Sequence, residues 1–400
     1  MERGSMSKIV IIGGCGHVGL PLGLALARAG HRVVGLDIDA KKVAETNAGR
    51  MPFADKGADE LLPKVLADGS FTCTTDKSCL ETAEIVITVI GTPLDEHLNP
   101  RFEVYDDLIA ADRTFLRKGQ LLVLRSTVYP GTTERIAAAL EREGIEVDVA
   151  FCPERVAEGV ALEEISTLPQ IVSGTSERAK ERAAVLFRTL TPDVIEMQPR
   201  AAELTKLFNN TWRYIQFATA NQFFMIANEH GLDFYEIHRA MTEKYPRAKA
   251  FPKAGFAAGP CLFKDTMQIA SFHNNAFFLG HSAMLVNEGL PNYLVRRALL
   301  RWPLREMSVG ILGMAFKGDS DDPRESLAYK LKKILERECR EVLCSDPFVA
   351  DERFVSTDEA IARCELLFIG TPHTEYRSTD FKGKTVLDIW NITKVGISVV

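Results

Sequence analysis

The feature that most constrains the fold is a glycine-rich turn set between an apolar strand and an apolar helix. Lys8–Ile12 reads as a buried strand. Gly14-Cys15-Gly16-His17-Val18-Gly19 follows, then a helix over Leu20–Ala29, then a second strand, Arg32–Leu36, ending at Asp37. Strand, glycine turn, helix and strand in about 30 residues make a mononucleotide-binding unit. Gly14 permits the tight turn, Gly16 lets a pyrophosphate approach the backbone, and Gly19 lets the helix pack closely on the sheet. The helix-end N–H groups, with His17 and Val18 among the turn residues, then face the phosphates. A glycine turn alone is a weak signal and occurs as plain structure. Here Asp37 stands 23 residues after Gly14, near the offset of a ribose-binding acid. A carboxylate there repels a 2′-phosphate, so NAD is expected rather than NADP.

Further strands are expected at Ile85–Ile90, Leu121–Arg125, Val147–Phe151 and Gln170–Ser173, with helices between them. This is a parallel sheet covered on both faces, assigned to an NAD-binding domain over 7–200. From Ala201 to Glu229 there is neither proline nor glycine for 29 residues, and apolar positions recur at helical spacing. Such a helix bridges domains or forms a dimer face. More helix is expected over 232–242, 265–279 and 281–299, giving a central helical domain, 201–304. Ser308–Leu312, Glu341–Cys344, Leu366–Ile369 and Thr385–Ile389 read as strands and Ser326–Glu338 as a helix, giving a second α/β domain over 305–400. The fold class is therefore α/β: a Rossmann-like dinucleotide-binding domain, a helical middle with a long connecting helix, and a C-terminal Rossmann-like domain whose crevice lies at the carboxyl ends of its strands.

Composition narrows the partners. The formal charge of −6 gives no reason to expect nucleic acid. No window reaches 18 continuous apolar residues, so no membrane span is expected. Met1–Ser5 ahead of Met6 reads as an appended extension rather than a targeting segment. The eight cysteines form no Cys-x-x-Cys, which points to a reduced, cytoplasmic protein. His230, His238, His273 and His281 show no metal-binding spacing, and no metal is expected.

Along the chain stand Gly91-Thr92-Pro93, Ser126-Thr127-Val128-Tyr129-Pro130-Gly131-Thr132-Thr133 and Pro153-Glu154-Arg155. After them come Glu203-Leu204-Thr205-Lys206-Leu207-Phe208-Asn209-Asn210, Gly259-Pro260-Cys261-Leu262-Phe263-Lys264-Asp265 and Phe316-Lys317-Gly318-Asp319, the last continuing to Arg324-Glu325-Ser326. In this order, over about residues 8–391, the blocks resemble the UDP-glucose/GDP-mannose dehydrogenase family of nucleotide-sugar 6-dehydrogenases. The resemblance implies twofold oxidation of a sugar 6-hydroxyl to a carboxylate, with two NAD consumed per turnover.

Cys261 precedes a helix, whose N-terminus favours a thiolate. The resemblance makes it the nucleophile that forms a thiohemiacetal and then a thioester. Lys206 and Asn210, four apart on the long helix, share one face. Locally they read as an exposed polar pair; by resemblance Lys206 stabilises the oxyanion and Asn210 supports it. Asp265 organises a water and the lysine, and either Asp265 or Glu154 helps deprotonate the hydrolytic water. The resemblance also implies that Thr127 lies near the cofactor, with Thr92, Pro93 and Ser126, and holds a catalytic water. Glu154, Arg155, Lys206, Asn210, Gly259, Lys317 and Arg324 are the implied substrate contacts. A homodimer through the middle section is also implied.

Several positions depart from the family pattern, among them Ala157-Glu158 where Leu-Pro or Asp-Pro is usual. Ala258 stands where glycine is common, Phe263 where proline is usual, and Trp390 where an arginine commonly precedes the asparagine matched by Asn391. The Pro-Glu-Arg-Val form of the 153–156 block resembles the N-acetylhexosamine branch, above all UDP-N-acetylmannosamine dehydrogenases. UDP-glucose and other nucleotide sugars remain alternatives. So does a catalytically silent sugar-nucleotide sensor, against which the intact Cys261, Lys206, Asn210 and Asp265 weigh.

Overall fold

The computed structural model describes residues 6–393 and 395–397, so the extension Met1–Ser5 lies outside the described residues. The chain divides into two compact units, Met1–Phe208 and Asn209–Val400, with the boundary inside the helix Pro199–Glu229.

The first unit is built on eight strands: β1 Lys8–Ile12, β2 Arg32–Leu36, β3 Phe71–Thr74, β4 Ile85–Thr88, β5 Leu121–Leu124, β6 Asp148–Phe151, β7 Gln170–Gly174 and β8 Val194–Met197. Their order is β3-β2-β1-β4-β5-β6-β7-β8. The chain winds outward from β1 to β3, then returns to β4 on the other side of β1. That reversal opens the crevice where doubly wound sheets bind ligands. Every residue of β4, β5 and β6 is buried, as expected of strands covered on both faces. The helix Gly19–Arg28 is buried from Gly19 to Ala27, because it packs between Ala58–Ala67 and Ala161–Thr167 as well as on the sheet.

Two expectations for this sheet need correction. It is not wholly parallel: β6 and β7 run antiparallel, pairing Phe151 with Ser173 and Ala150 with Gly174. It also contains β3 and β8, which the sequence reading left out.

The second unit holds the rest of the long helix, the helices Phe234–Thr242, Leu262–Phe272 and Phe278–Leu299, and a four-stranded parallel sheet. Its strands are β9 Ser308–Leu312, β10 Glu341–Ser345, β11 Leu366–Ile369 and β12 Thr385–Leu387, in the order β10-β9-β11-β12. The helical stretch and this sheet share one core: Phe224, Tyr235, Leu290 and Leu294 cluster with Ile311, Leu331 and Phe368. The helix expected over 265–279 stops at Phe272, because Asn274 and Asn275 take φ of 51° and 57°. Such left-handed residues end a helix, and asparagine is among the few that adopt them readily. A helix at Thr357–Arg363, capped by the Ser356 hydroxyl, was not anticipated.

The first unit is pinned by a buried charge at the carboxyl end of β5. Arg125 is fully buried. Its guanidinium donates through Nε to Glu154 Oε2 at 2.9 Å, through Nη2 to the same oxygen and to Gln170 Oε1 at 3.1 Å, and through Nη1 to the Cys152 carbonyl at 3.1 Å. Its Cζ lies 4.7 Å from the Phe187 ring centroid. β5, β6 and β7 are thereby tied at one point. An Arg125→Leu variant leaves Glu154 buried without its cation and is expected to lose about 3–5 kcal/mol of stability. Urea unfolding with an unchanged midpoint contradicts this.

Candidate functional site

In the first unit the glycine turn is anchored to β2 by its backbone. The Gly13 and Gly14 amides both donate to the Leu36 carbonyl, at 2.8 and 3.1 Å. Gly13, not Gly14, takes the left-handed conformation (φ +82°), so the turn itself is made one residue earlier than the sequence pattern implied. Gly14 is needed for close approach: a Cβ there would lie 2.4 Å from Gly35 Cα on β2. At Gly19 a Cβ would lie 2.1 Å from the Gly13 carbonyl oxygen, so the helix begins against the turn. Gly16 differs: its nearest neighbour would be 3.4 Å away, leaving the face a pyrophosphate needs. His17 stacks on Phe53 with centroids 4.1 Å apart. Val18 is the residue before the helix.

Asp37 lies where the turn and β2 meet. One carboxylate oxygen accepts from the Cys15 N–H at 2.9 Å, the other from the Asp39 N–H at 3.1 Å. The turn's shape and the position of this negative charge are thus linked. These residues fit a bound dinucleotide: open backbone for the diphosphate and a fixed acid for a ribose.

Around the ends of β4 and β5, Ser126 Oγ accepts from the Ile90 N–H at 2.8 Å, and Thr92 Oγ1 donates to the Thr127 carbonyl at 2.7 Å. Thr92-Pro93 and Ser126-Thr127 are therefore joined. Glu154 has both oxygens engaged. Oε2 faces Arg125, while Oε1 accepts from the Arg155 and Val156 N–H groups at 2.7 and 3.1 Å. Arg155 turns its guanidinium onto the Pro169 carbonyl, and burial lowers its pKa. Cys152 is fully buried, and burial pushes its thiol up to about 12, as befits an inert core cysteine.

Sequence reasoning missed the role of Glu203. It is fully buried at the start of the long helix, three residues before Lys206. Its carboxylate accepts from the Gly131 N–H at 2.5 Å, the Thr133 N–H at 2.9 Å and the Thr133 hydroxyl at 2.6 Å. It thus caps the helix Thr132–Arg142 from another element and fastens the segment that begins at Ser126. Burial raises its pKa against the pull of those hydrogen bonds. Lys206 lies half-buried one turn further along.

In the second unit, Cys261 is exposed and stands directly ahead of the helix Leu262–Phe272. Its carbonyl accepts the Asp265 N–H at 2.9 Å, closing the first turn. Asp265 is fully buried. Its Oδ2 accepts from Asn210 Nδ2 at 2.6 Å, and its Oδ1 lies 2.8 Å from Lys264 Nζ. Asp265 thus brings together Asn210 from the long helix and its own neighbour Lys264. Gly259, at φ +101°, donates its N–H to the Glu325 carbonyl at 3.3 Å.

Lys317 and Arg324 lie on the loop that leaves β9. Arg324 forms a forked pair with Asp322, 2.9 Å from Nε to each oxygen. The loop is held from beneath by Asp346. This residue accepts from the Met314 and Ala315 N–H groups at 2.6 and 2.9 Å and lies 3.0 Å from His373 Nε2. Burial alone raises the Asp346 pKa, but those donors outweigh it and hold the carboxyl below its ordinary value. Among the described residues no group of three or more His, Cys, Asp or Glu could hold a metal ion, and no helix is long and apolar enough to cross a membrane.

The chain matches three domains of one family: the NAD binding domain over residues 7–191, the central domain over 200–288 and the UDP binding domain over 310–395. It is 30% identical to the UDP-N-acetyl-D-mannosamine dehydrogenase of Pyrococcus horikoshii, covering 97% of this chain and 96% of that one. A solved structure of the dehydrogenase named for that substrate from the same organism superposes with a TM-score of 0.91 at 28% identity, covering 98% of this chain and 99% of that one. A UDP-glucose dehydrogenase from Pyrobaculum islandicum gives 0.90 at 26% identity, covering 100% and 99%. With an NAD-binding domain, a central helical domain and a UDP-binding domain in order over nearly its whole length, the chain belongs to the UDP-glucose/GDP-mannose dehydrogenase family of NAD-dependent nucleotide-sugar oxidoreductases.

Proposed function

We propose that this chain oxidises the C6 hydroxyl of a UDP-N-acetylhexosamine, with UDP-N-acetylmannosamine favoured, to the uronic acid in two steps. The observation that carries this reading is the Asn210–Asp265–Lys264 group, with Asn210 and Asp265 buried, one helical turn from the exposed Cys261. Bound NAD supplies the acceptor for each of the two hydrides. The C6 hydroxyl gives its proton to water, and Lys206 steadies the alkoxide so formed as the first hydride leaves C6. Cys261 Sγ then adds to the aldehyde carbonyl, giving a thiohemiacetal. Loss of the second hydride leaves a thioester on Cys261. Water, held by Thr127 and activated by Asp265 or Glu154, cleaves it to the carboxylate and frees the thiol.

The N-acetylhexosamine assignment is supported by the Arg155-containing block and by relatives named for UDP-N-acetyl-D-mannosamine at 29 and 30% identity. UDP-glucose is the second reading, supported by the similarity to the Pyrobaculum islandicum enzyme. Initial rates with UDP-N-acetylmannosamine, UDP-N-acetylglucosamine, UDP-glucose and GDP-mannose separate them. Two NADH per sugar, with the highest kcat/KM for UDP-N-acetylmannosamine, is expected. A kcat/KM tenfold higher for UDP-glucose, about 1.4 kcal/mol, overturns the assignment. On the best substrate, Cys261→Ser should make almost no acid, and Lys206→Ala should lose about 3 kcal/mol of transition-state stabilisation. A silent sensor reduces no NAD with any of the four.

Asp37 is proposed to select NAD. Rates with NAD should far exceed those with NADP at equal concentration, and Asp37→Ser should narrow the ratio while loosening the turn. An NADP preference in the unaltered enzyme sinks this assignment.

We also propose a homodimer. Trp212 is 61% exposed on the long helix, with Phe223 and Ile226 further along it, and Leu285 is 69% exposed on the helix Phe278–Leu299. Aromatic side chains left in water over three turns of helix suit the self-complementary face of a second copy. Sedimentation should give a species of about twice 44.4 kDa. Trp212→Asp should shift it toward the single chain, and a sole 44.4 kDa species without substitution refutes it.

A further inference from the structure

The segment that leads to Cys261 is made of small residues: Ala254, Gly255, Ala257, Ala258 and Gly259 surround a single large side chain, Phe256. It has little with which to pack itself. Two rings from the C-terminal α/β part of the same unit press on it instead. A Cβ on Gly255 would lie 2.1 Å from Trp390 Cζ3, and one on Gly259 would lie 2.6 Å from Phe316 Cδ2. Trp390 also meets Phe256 edge to face, with centroids 6.3 Å apart.

Backbone and polar contacts close the same clasp. Asn221 pairs with Gly255 through both its amide atoms, 2.9 Å from the Gly255 N–H and 3.0 Å to its carbonyl. The Tyr235 hydroxyl donates to the carbonyl of Ile389, beside Trp390, with the Ala254 carbonyl at 3.3 Å. Glu325, whose carbonyl receives the Gly259 N–H, is held at φ +54°. A glutamate adopts that conformation only when its surroundings impose it. Trp390 Nε1 is buried with no hydrogen-bond partner among the described residues. An indole kept there with its N–H unsatisfied is kept for the shape of its ring.

We propose that Trp390 and Phe316 are positioning residues for the Cys261 thiol. They act through Gly255 and Gly259, fixing where Sγ stands when the sugar C6 arrives. The proposal rests on Cys261 being the nucleophile. Because Phe316 adjoins Lys317, it also makes the UDP-binding domain a determinant of thiol placement.

The test uses the full-length enzyme with NAD and its best UDP-sugar. It compares steady-state rates, NAD binding and the rate at which iodoacetamide alkylates Cys261. Since displacing a reacting group by about 1 Å costs on the order of 100-fold in rate, Trp390→Ala and Phe316→Leu should lower kcat at least about 30-fold. The sugar KM should move less than about 3-fold, and the NAD dissociation constant should stay the same. Cys261 alkylation should change rate in parallel, and Trp390→Phe should recover most of the loss. Gly255→Ala should be as impaired as Trp390→Ala. If Trp390→Ala does not fold, Trp390→Leu gives the same readout. Unchanged kcat and alkylation, or a lower kcat with KM and NAD binding impaired to the same extent, overturn the proposal. If Cys261→Ser still makes acid, the nucleophile reading fails as well. If Cys261→Ser is dead but Trp390→Ala is not slowed, the positioning role alone fails.

Discussion

No side chain fits at Gly14, Gly19, Gly255 or Gly259, and the placement of the chemistry depends on that. At the first two, backbone meets backbone. The turn lies on β2 and the helix Gly19–Arg28 starts against the turn, so its N–H groups are held at one place. At the other two, backbone meets an aromatic ring, and the chain entering the helix of Cys261 is held from outside. An alanine at Gly14 must displace main chain, which has nowhere to go in a close-packed interior. An alanine at Gly255 must displace a ring.

Buried charges extend these constraints across elements distant in sequence. Arg125 and Glu154 join β5 to the segment after β6, and Glu203 joins the long helix to the turn before Thr132–Arg142. Asp265 joins the Cys261 helix to Asn210. Each charge is buried, and each is matched by several donors or acceptors, the condition under which a buried charge is tolerable. Apolar packing would have held these elements with less specificity. A carboxylate that accepts three hydrogen bonds, as Glu203 does, permits one arrangement of its donors.

The legibility of the fold followed burial. Strands covered on both faces are continuous apolar runs, so β1, β2, β9 and β11 were read to the residue, and β4 to β7 within two. β8 is an edge strand with Ile195 and Glu196 exposed, and β3 alternates buried and exposed over only four residues, so neither carries a run to recognise. The antiparallel junction of β6 and β7 is set by how the chain returns through the helix Ala161–Thr167, which no local pattern encodes. The glycine turn was legible as a unit, but the assignment of roles within it was not. Gly13 and Gly14 look alike in sequence, and only the approach of β2 separates them. The motif blocks identified the family and its candidate site. The clasping of that site was invisible, because Glu203 acts on residues 70 positions away and Trp390 on one 135 positions away.

Sugar choice is a different kind of problem. Solved enzymes named for UDP-N-acetylmannosamine and for UDP-glucose superpose on this chain with TM-scores of 0.91 and 0.90. The backbone is therefore nearly indifferent to the sugar. One acetamido group against one hydroxyl must be told apart by a few side chains, and a single well-placed hydrogen bond is worth enough to do so. Arg155 is the residue whose type differs most between the two motif forms, yet its guanidinium is drawn to the Pro169 carbonyl. That contact shapes the segment after Glu154, so a part for Arg155 in sugar recognition, as proposed above, would run through that segment. The same holds for Ala258 beside Gly259 and for Phe263 after Cys261. A methyl or a ring at those positions changes the reach of a sugar substituent without moving the strands. Specificity in this family can thus vary while the fold and the oxidative chemistry stay fixed.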